Sequence, residues 1–199
     1  MTTTVGILLF EGVEELDFAG PWEVLKFADT ATDADLSVLT VAQTRDVVTC
    51  SKGLRVVPDH DFGSCPALDI VLAPGGMGTR RERGNPVLLD FLRAQAAHAR
   101  WLTSVCTGVM LLAAAGLVEG RRVTTHWAAV GELRAQDPSL QVLEGPRYVR
   151  DGHVVTSAGV SAGIDMSLWL LGELFGTDLA RQVQKGIEYF PAPPYAAAV

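Results

Sequence analysis

The residue best suited to chemistry in this 199-residue sequence is Cys106, whose thiol could act as a nucleophile. An apolar run that ends at Val105 is typical of a buried strand, and the helix formers that follow Val109 predict a helix that ends at Gly116. Cys106 therefore stands at a strand-to-helix turn, which directs its side chain toward the carboxyl edge of a sheet. The amino terminus of the helix adds N–H groups and partial positive charge that favour a thiolate.

Residues that could assist a thiol follow two other predicted strands. Asp17 comes after the first strand, and Gly75-Gly76 come directly after a central one. Because the carboxyl ends of neighbouring parallel strands meet at one edge of a sheet, these residues are expected to lie near Cys106. A thiol, a carboxyl and bare backbone N–H groups are the nucleophile, the acid or base and the anion stabiliser of covalent catalysis.

Each of these features also has a purely structural interpretation. A lone cysteine in apolar surroundings is more often a small core residue, and a glycine pair alone is weak support for a site because it often marks only a turn. Asp17 could cap a turn, although its neighbours Leu16 and Phe18 suggest burial, which would raise its pKa and let it hold a proton for donation. His126 could be the base of a triad, but a structural or helix-capping role is at least as well supported.

The predicted elements alternate between buried strands and helices, which is typical of an α/β protein with a mostly parallel sheet. Strands are expected near residues 5–10, 36–41, 69–73, 123–124, 141–143, 148–149 and 153–156, and in the stretch that ends at residue 105. Residues 47–48 and 54–57 are expected to form a short hairpin or an edge pair. Helices are expected over residues 21–28, 86–99, 109–116, 162–174 and 178–185. We expect one domain over residues 1–199, with an extended C-terminal arm from about residue 190 because prolines and alanines dominate there.

The composition argues against several classes of function. The chain is 48% hydrophobic and 20% charged, as is usual for a globular protein. Its 16 basic and 23 acidic residues give a net charge of −7, which disfavours general binding to nucleic acids or anionic membranes. No stretch approaches the roughly 18–20 apolar residues of a membrane span, and the first residues do not resemble a signal peptide.

The three cysteines, Cys50, Cys65 and Cys106, are odd in number and widely spaced, so we expect reduced thiols and a cytoplasmic protein. The four histidines lack HxH and HxxxH spacing, and no cysteine stands close to them in the sequence. We therefore expect neither a metal nor a disulfide framework.

Several short motifs occur together along the chain: Leu16-Asp17-Phe18, Pro74-Gly75-Gly76, Ser104-Val105-Cys106-Thr107-Gly108, Thr124-Thr125-His126-Trp127, Ala162-Gly163-Ile164-Asp165, and Glu188-Tyr189 before Pro191-Ala192-Pro193-Pro194. In combination they resemble the ThiJ/PfpI superfamily of class I glutamine-amidotransferase-like proteins, over nearly the whole chain. Within that superfamily the motifs are most similar to those of bacterial isocyanide hydratase. Residues 157–161 and 185–187 depart from that pattern and are expected to border the pocket.

The resemblance implies a flavodoxin-like three-layer sandwich, in which helices cover both faces of a mostly parallel sheet and Cys106 occupies a nucleophile elbow. It implies a homodimer and a lyase that adds water to an isocyanide through a Cys106 thioimidate, giving an N-formamide without a metal or cofactor. Asp17 would be the acid and base, and Thr107 would help to position water. Gly75 and Gly76 would form an oxyanion-binding loop, with the N–H groups of Gly76 and Thr107 as its donors. Thr107 stands where many members carry histidine, which argues against a Cys–His pair.

Three alternatives stay open on the sequence. A glyoxalase, deglycase or amidase of the same fold could use the same elbow. An oxidisable Cys106 could serve as a redox sensor. Similar domains also form the ligand-sensing halves of AraC-type regulators, but the sequence has no basic helical extension, so DNA binding is not expected.

Overall fold

The computed structural model describes residues 2–190, whose strands form one large sheet and two small ones. The strands are β1 (Thr3–Leu8), β2 (Leu36–Ala42), β3 (Val48–Thr49), β4 (Arg55–Val56), β5 (His60–Asp61), β6 (Ile70–Ala73), β7 (Trp101–Val105), β8 (Arg122–Val123), β9 (Gln141–Val142), β10 (Tyr148–Asp151) and β11 (Val154–Ser157). The helices are α1 (Glu15–Ala31), α2 (Thr79–Glu82), α3 (Pro86–Ala96), α4 (Val109–Ala114), α5 (Val130–Gln136), α6 (Ala162–Phe175) and α7 (Thr177–Gly186).

The large sheet has seven strands in the order β10-β11-β7-β6-β1-β2-β5. Every neighbouring pair is parallel except β10 with β11. The central strands β1 and β6 are apolar along most of their length because both of their faces are covered, as is usual for parallel sheets. The predicted α/β architecture with a mostly parallel sheet is confirmed.

The helices pack in two groups, one on each face of the sheet. Helices α1, α6 and α7 contact one another, and α4 contacts α2, α3 and α5. Their apolar faces meet the sheet in one continuous core, which includes the fully buried side chains of Ile7, Leu72, Met110 and Leu111. Among the helices of residues 2–190, none is both long enough and apolar enough to cross a bilayer.

Most predicted elements are present, but the predicted start of the first helix was wrong. The sequence favoured a start at Pro21, since proline suits the first turn of a helix. Helix α1 instead begins at Glu15 and contains Pro21 in its interior, where proline can donate no hydrogen bond to the preceding turn. Asp17 consequently lies in the first turn of a helix and not in a loop before it.

The predicted hairpin is confirmed as the antiparallel pair of β3 and β4, which lies outside the large sheet. The parallel pair of β8 and β9 forms the other small sheet. The predicted arm falls almost wholly on residues 191–199, which lie outside the described residues.

Gly108 brings the turn after β7 directly against the end of β6. A Cβ atom at this position would overlap the carbonyl oxygen of Ala73, which belongs to the backbone and has little freedom to move. We therefore expect Gly108→Ala to lower the free energy of unfolding by about 2–3 kcal/mol, as measured by urea denaturation. The control is Gly131→Ala in α5, where a Cβ meets nothing within 4 Å. That variant should be neutral or up to about 1 kcal/mol more stable, and equal losses in both variants would contradict the packing argument.

Candidate active site

Three adjacent strands bring the predicted site residues to one edge of the sheet. Strand β6 lies between β1 and β7, and the segments that follow these strands carry Asp17, the loop Pro74–Gly76 and Cys106. The Gly75 N–H donates to Asp17 Oδ2 at 2.9 Å, and the Gly76 N–H donates to Thr107 Oγ1 at 3.1 Å. The residues that the sequence proposed from three separate segments therefore lie together.

Cys106 begins the turn between β7 and α4 in an unusual backbone conformation. Its φ of 56° lies in the left-handed region, which non-glycine residues rarely occupy outside functional sites. Both of its backbone polar groups are hydrogen-bonded. Its N–H donates to the Ala158 carbonyl at 3.1 Å, and its carbonyl accepts from Thr125 Oγ1 at 2.8 Å. The residue is 7% exposed, so it is almost completely shielded from solvent.

The Cys106 thiol is protonated in the resting protein because burial outweighs the groups that stabilise its charge. Burial is the largest cause that raises the pKa of Cys106 to about 12, and the negative charge of Asp17 is the second. Backbone N–H groups of Thr107 and Val160 hydrogen-bond the sulfur and lower the pKa by less. The sequence indicates the N–H groups at the start of the helix after Cys106, but it does not show how strongly burial raises the pKa of the thiol.

Asp17 has no exposed surface, and burial raises its pKa from 3.8 to about 7. The negative charge of Glu14 is a smaller cause of the same rise. The Gly75 N–H opposes it most strongly, followed by the Cys106 side chain and the positive charge of Lys52. Near neutral pH a carboxyl with this pKa is present in both its protonated and its ionised form, and the role of Asp17 as acid and base stays a prediction.

The β3–β4 hairpin fixes the start of α1 and places charge near Asp17. The Lys52 ammonium forms an ion pair with Glu14, and the Lys52 N–H donates to Glu15 Oε1 at 2.7 Å. The Ser51 hydroxyl donates to the Gly12 carbonyl at 2.6 Å. The first turn of α1 is thus tied to a hairpin that lies far from it in sequence.

The glycines of the Pro74–Gly76 loop are required by close packing. A Cβ on Gly75 would collide with Thr107 and with Asp17 Oδ2. Gly76 has a φ of 120°, and a Cβ there would meet the backbone of Gly12 and Glu14. Both N–H groups are engaged by protein side chains, the first by Asp17 and the second by Thr107. A role for Gly75 and Gly76 in binding an oxyanion therefore stays a prediction.

The buried Thr107 hydroxyl belongs to a small network around Gly76. Its Oγ1 lies 3.2 Å from both the Gly76 carbonyl and Thr79 Oγ1, and Thr79 Oγ1 donates to the same carbonyl at 2.8 Å. Thr79 is fully buried and was not singled out in the sequence, where it is one more polar residue after a glycine loop. The Thr107 hydroxyl thus helps to hold the Pro74–Gly76 loop in place. The role of Thr107 in positioning water stays a prediction.

A fourth strand end contributes Val160, which the sequence analysis placed at the border of the pocket without a role. Strand β11 pairs parallel with β7, so the segment after it reaches the same sheet edge as Cys106. Val160 has a φ of 51°, a conformation that is strained for a β-branched residue, and its N–H hydrogen-bonds the Cys106 sulfur. The predicted strand over residues 153–156 was the signal that could have identified it.

His126 has a capping role in the structure. Its Nδ1 accepts from the Ala128 N–H at 3.2 Å, at the start of a 3₁₀ turn over Trp127–Ala129. This arrangement agrees with the helix-capping alternative. Within residues 2–190, no three His, Cys, Asp or Glu side chains are grouped so that they could hold a metal ion.

Comparison with known proteins yields a family and several relatives. Residues 3–173 match the profile of the DJ-1/PfpI family. The chain is 44% identical over 196 residues to isonitrile hydratase of Pseudomonas putida, covering 98% of this chain and 82% of that protein. It is 30% identical over 187 residues to the HTH-type transcriptional regulator GbdR of Pseudomonas aeruginosa, and it spans only half of that protein's length.

Solved structures show the same fold. A ThiJ/PfpI family protein from Pseudomonas syringae superposes with a TM-score of 0.88 and 33% identity, covering all of this chain and 80% of that one. DJ-1beta of Drosophila melanogaster superposes with a TM-score of 0.84 at 23% identity, covering 96% of this chain and 100% of that one. The second likeness concerns the fold alone.

The raised pKa of Asp17 predicts how stability depends on pH. Because the folded-state value of about 7 exceeds the ordinary value of 3.8, the folded protein keeps a proton that the unfolded chain releases. The stability contributed by that proton is fully present below about pH 4 and is lost as the pH rises through about 7. Asp17→Asn has no carboxyl to hold this proton, so wild type should lose stability with rising pH while the variant does not. From about pH 4 to about pH 7, the free energy of unfolding of Asp17→Asn should therefore increase by about 3 kcal/mol relative to that of wild type.

The measurement is the free energy of unfolding by urea at several pH values. Asp90→Asn is the control, since it makes the same substitution at a side chain that is 74% exposed. Parallel stability curves for wild type and Asp17→Asn would show that Asp17 does not titrate in this range.

Proposed function

The chain belongs to the DJ-1/PfpI family, and on that premise we propose that it hydrates isocyanides to N-formamides with Cys106 as the nucleophile. The observation that carries the proposal is the 44% identity to the isonitrile hydratase of Pseudomonas putida over 98% of this chain, isonitrile being another word for isocyanide. The buried pair of Cys106 and Asp17 supplies the groups that such a reaction needs.

The first half of the reaction joins the thiol to the terminal carbon of the isocyanide, R–N≡C. Asp17 in its carboxylate form takes the Cys106 proton while the sulfur forms a bond to that carbon. Asp17 then delivers the proton to the same carbon, and the product is a thioimidate, R–N=CH–S–Cys106. The Thr107 and Val160 N–H groups stabilise the charge on the sulfur as it attacks.

The second half releases the product by adding water to the thioimidate carbon. Asp17 takes a proton from the water as the water oxygen bonds to the carbon, and Asp17 then passes that proton to the nitrogen. The carbon–sulfur bond then breaks as the added hydroxyl becomes the formyl C=O, and the proton that the hydroxyl loses restores the thiol and frees R–NH–CHO. The sum is the addition of one water molecule, and one carboxyl serves both halves as base and acid.

Two features of the site support this scheme. The pKa of Asp17, about 7, suits a group that must gain and lose a proton in each turnover. Gly75 and Gly76 hold Asp17 and Thr107 against the elbow, and we propose that they keep these groups in reach of a substrate on the sulfur. The thiol, the carboxyl, the substrate and water account for every proton and electron pair, so the scheme calls for no metal or cofactor.

We also propose that the protein is a cytoplasmic homodimer. The reduced thiol that the scheme requires is maintained in the cytoplasm. Large hydrophobic side chains on α1, Leu16 and Trp22, are more than one-third exposed, which suits a surface that a second copy covers.

The activity itself is the most direct test. Purified protein with Cys106 reduced should convert alkyl or aryl isocyanides to the corresponding formamides, followed by chromatography and mass spectrometry. Cys106→Ala should lower kcat by at least about 1,000-fold because no other group can form the thioimidate, and Asp17→Asn by about 100-fold. Cys65→Ala is the matched control, since Cys65 lies in the segment between β5 and β6 and its loss should leave the rate unchanged.

A related activity would be recognised in the same experiment. Glyoxal is offered to the same preparations, beside a known isocyanide hydratase as a positive control. If the preparations consume glyoxal in a Cys106-dependent way and yet form no formamide from any isocyanide, the glyoxalase alternative replaces the hydratase proposal.

The dimer proposal predicts a particle of twice 21.2 kDa in light scattering coupled to size-exclusion chromatography. Trp22→Glu places a charge on the exposed face of α1 and should shift the particle toward the monomer mass. The exposed face of α3 provides the control Val87→Glu, which should leave the mass unchanged. A monomer for the wild-type protein at micromolar concentration would rule out the dimer.

A further inference from the structure

The Thr124-Thr125-His126-Trp127 motif has a contact with the elbow that the proposed reaction leaves unexplained. Thr125 is 3% exposed, and its hydroxyl donates at 2.8 Å to the carbonyl oxygen of Cys106. A buried hydroxyl bonded to the backbone of a nucleophile acts on the orientation of a peptide group and not on the substrate directly.

The peptide group between Cys106 and Thr107 connects this contact to the sulfur. In a trans peptide the C=O and N–H point in opposite directions, so a group that fixes the oxygen also fixes the hydrogen. The N–H of this peptide belongs to Thr107 and hydrogen-bonds the Cys106 sulfur. The left-handed φ of Cys106 is intrinsically unfavourable, so the local chain alone does not favour this orientation.

We propose that Thr125 is a positioning residue, whose hydroxyl holds the Cys106–Thr107 peptide so that the Thr107 N–H stays directed at the sulfur. The inference rests on the proposed function only in taking that sulfur as the nucleophile. A thiolate that forms during attack would then meet a donor that is already in place, without waiting for the peptide to turn.

The surroundings of Thr125 suit this role because they tie it to the sheet. The Thr124 N–H donates to Thr156 Oγ1 at 2.8 Å, and Thr156 pairs with Ser104 of β7 in the sheet register. The Thr124 hydroxyl turns the other way and donates to the Leu143 carbonyl at 2.9 Å. The backbone before Thr125 is therefore anchored on the strand beside the one that leads to Cys106.

Loss of the Thr125 hydroxyl should weaken the stabilisation of the Cys106 thiolate only in part, because the sulfur has a second hydrogen-bond donor. The Val160 N–H comes from the segment after β11 and does not depend on Thr125. The charged group that faces the sulfur is Asp17, which is in turn influenced by Glu14 and Lys52, and a change at Thr125 leaves all three in place.

The test compares three variants. Thr125→Val removes the hydroxyl at nearly constant shape, and Thr125→Ser restores it. Thr124→Val is the matched control, since it removes a neighbouring buried hydroxyl that also donates to a backbone carbonyl but has no contact with the elbow. For each protein the rate of Cys106 alkylation by iodoacetamide is measured against pH, by mass spectrometry of the peptide that contains Cys106, together with kcat, KM and the free energy of unfolding.

Thr125→Val should alkylate at least about 10-fold more slowly at a given pH, since a hydrogen bond to a charged group is lost. Its kcat should fall by a similar factor with KM nearly unchanged, and Thr125→Ser should recover most of both losses. Thr124→Val should lose stability but keep the alkylation rate of wild type. Equal alkylation rates in Thr125→Val and Thr124→Val would overturn the proposal.

The alkylation measurement separates this inference from the proposed reaction. If wild type makes no formamide but Thr125→Val still alkylates more slowly, the positioning role stands and the hydratase proposal fails. If formamide forms and alkylation is unaffected, the positioning role alone fails. Should Thr125→Val not fold, Thr125→Ala replaces it and the same comparison with Thr124→Val decides.

Discussion

The site depends on a carboxyl and a thiol that face each other with almost no access to water. Burial opposes ionisation of both, so Asp17 titrates near pH 7 and Cys106 keeps its proton at rest. Two buried negative charges at such close range would be very unfavourable, so the pair shares protons and is rarely doubly ionised. That restriction makes proton transfer between the two groups the natural event when a reactant reaches the sulfur.

The sheet makes this pair possible because parallel strands end at a common edge. Asp17 comes from the segment after β1, and Cys106 from the segment after β7, with β6 between them. The Pro74–Gly76 loop after β6 fills the gap with backbone alone, since side chains there would collide with Thr107 and Asp17. Strong packing beneath this edge also supports the unfavourable backbone conformations of Cys106 and Val160.

The hydrogen bonds at the elbow divide into two kinds. Those to the sulfur, from Thr107 and Val160, favour its charged form, which in the proposed reaction exists only as the sulfur attacks. Those to the surrounding backbone, from Thr125 to Cys106 and from Thr79 to Gly76, keep the donors in position before any charge develops. A site of this kind needs little reorganisation when charge forms, which is the usual physical source of large rate enhancements.

The sequence by itself determined the α/β class, the strand-to-helix turn at Cys106, and the convergence of Asp17, Gly75 and Thr107, because apolar periodicity and parallel-strand geometry are local or topological properties. Its motifs also identified the family. Only the tertiary structure decided the protonation of Cys106, the start of α1 at Glu15, and the parts played by Val160, Thr79 and Thr125. These properties depend on burial and on contacts between segments that are distant in the chain. Residue propensity and spacing do not show how much water is excluded from a group or which backbone group a hydroxyl contacts.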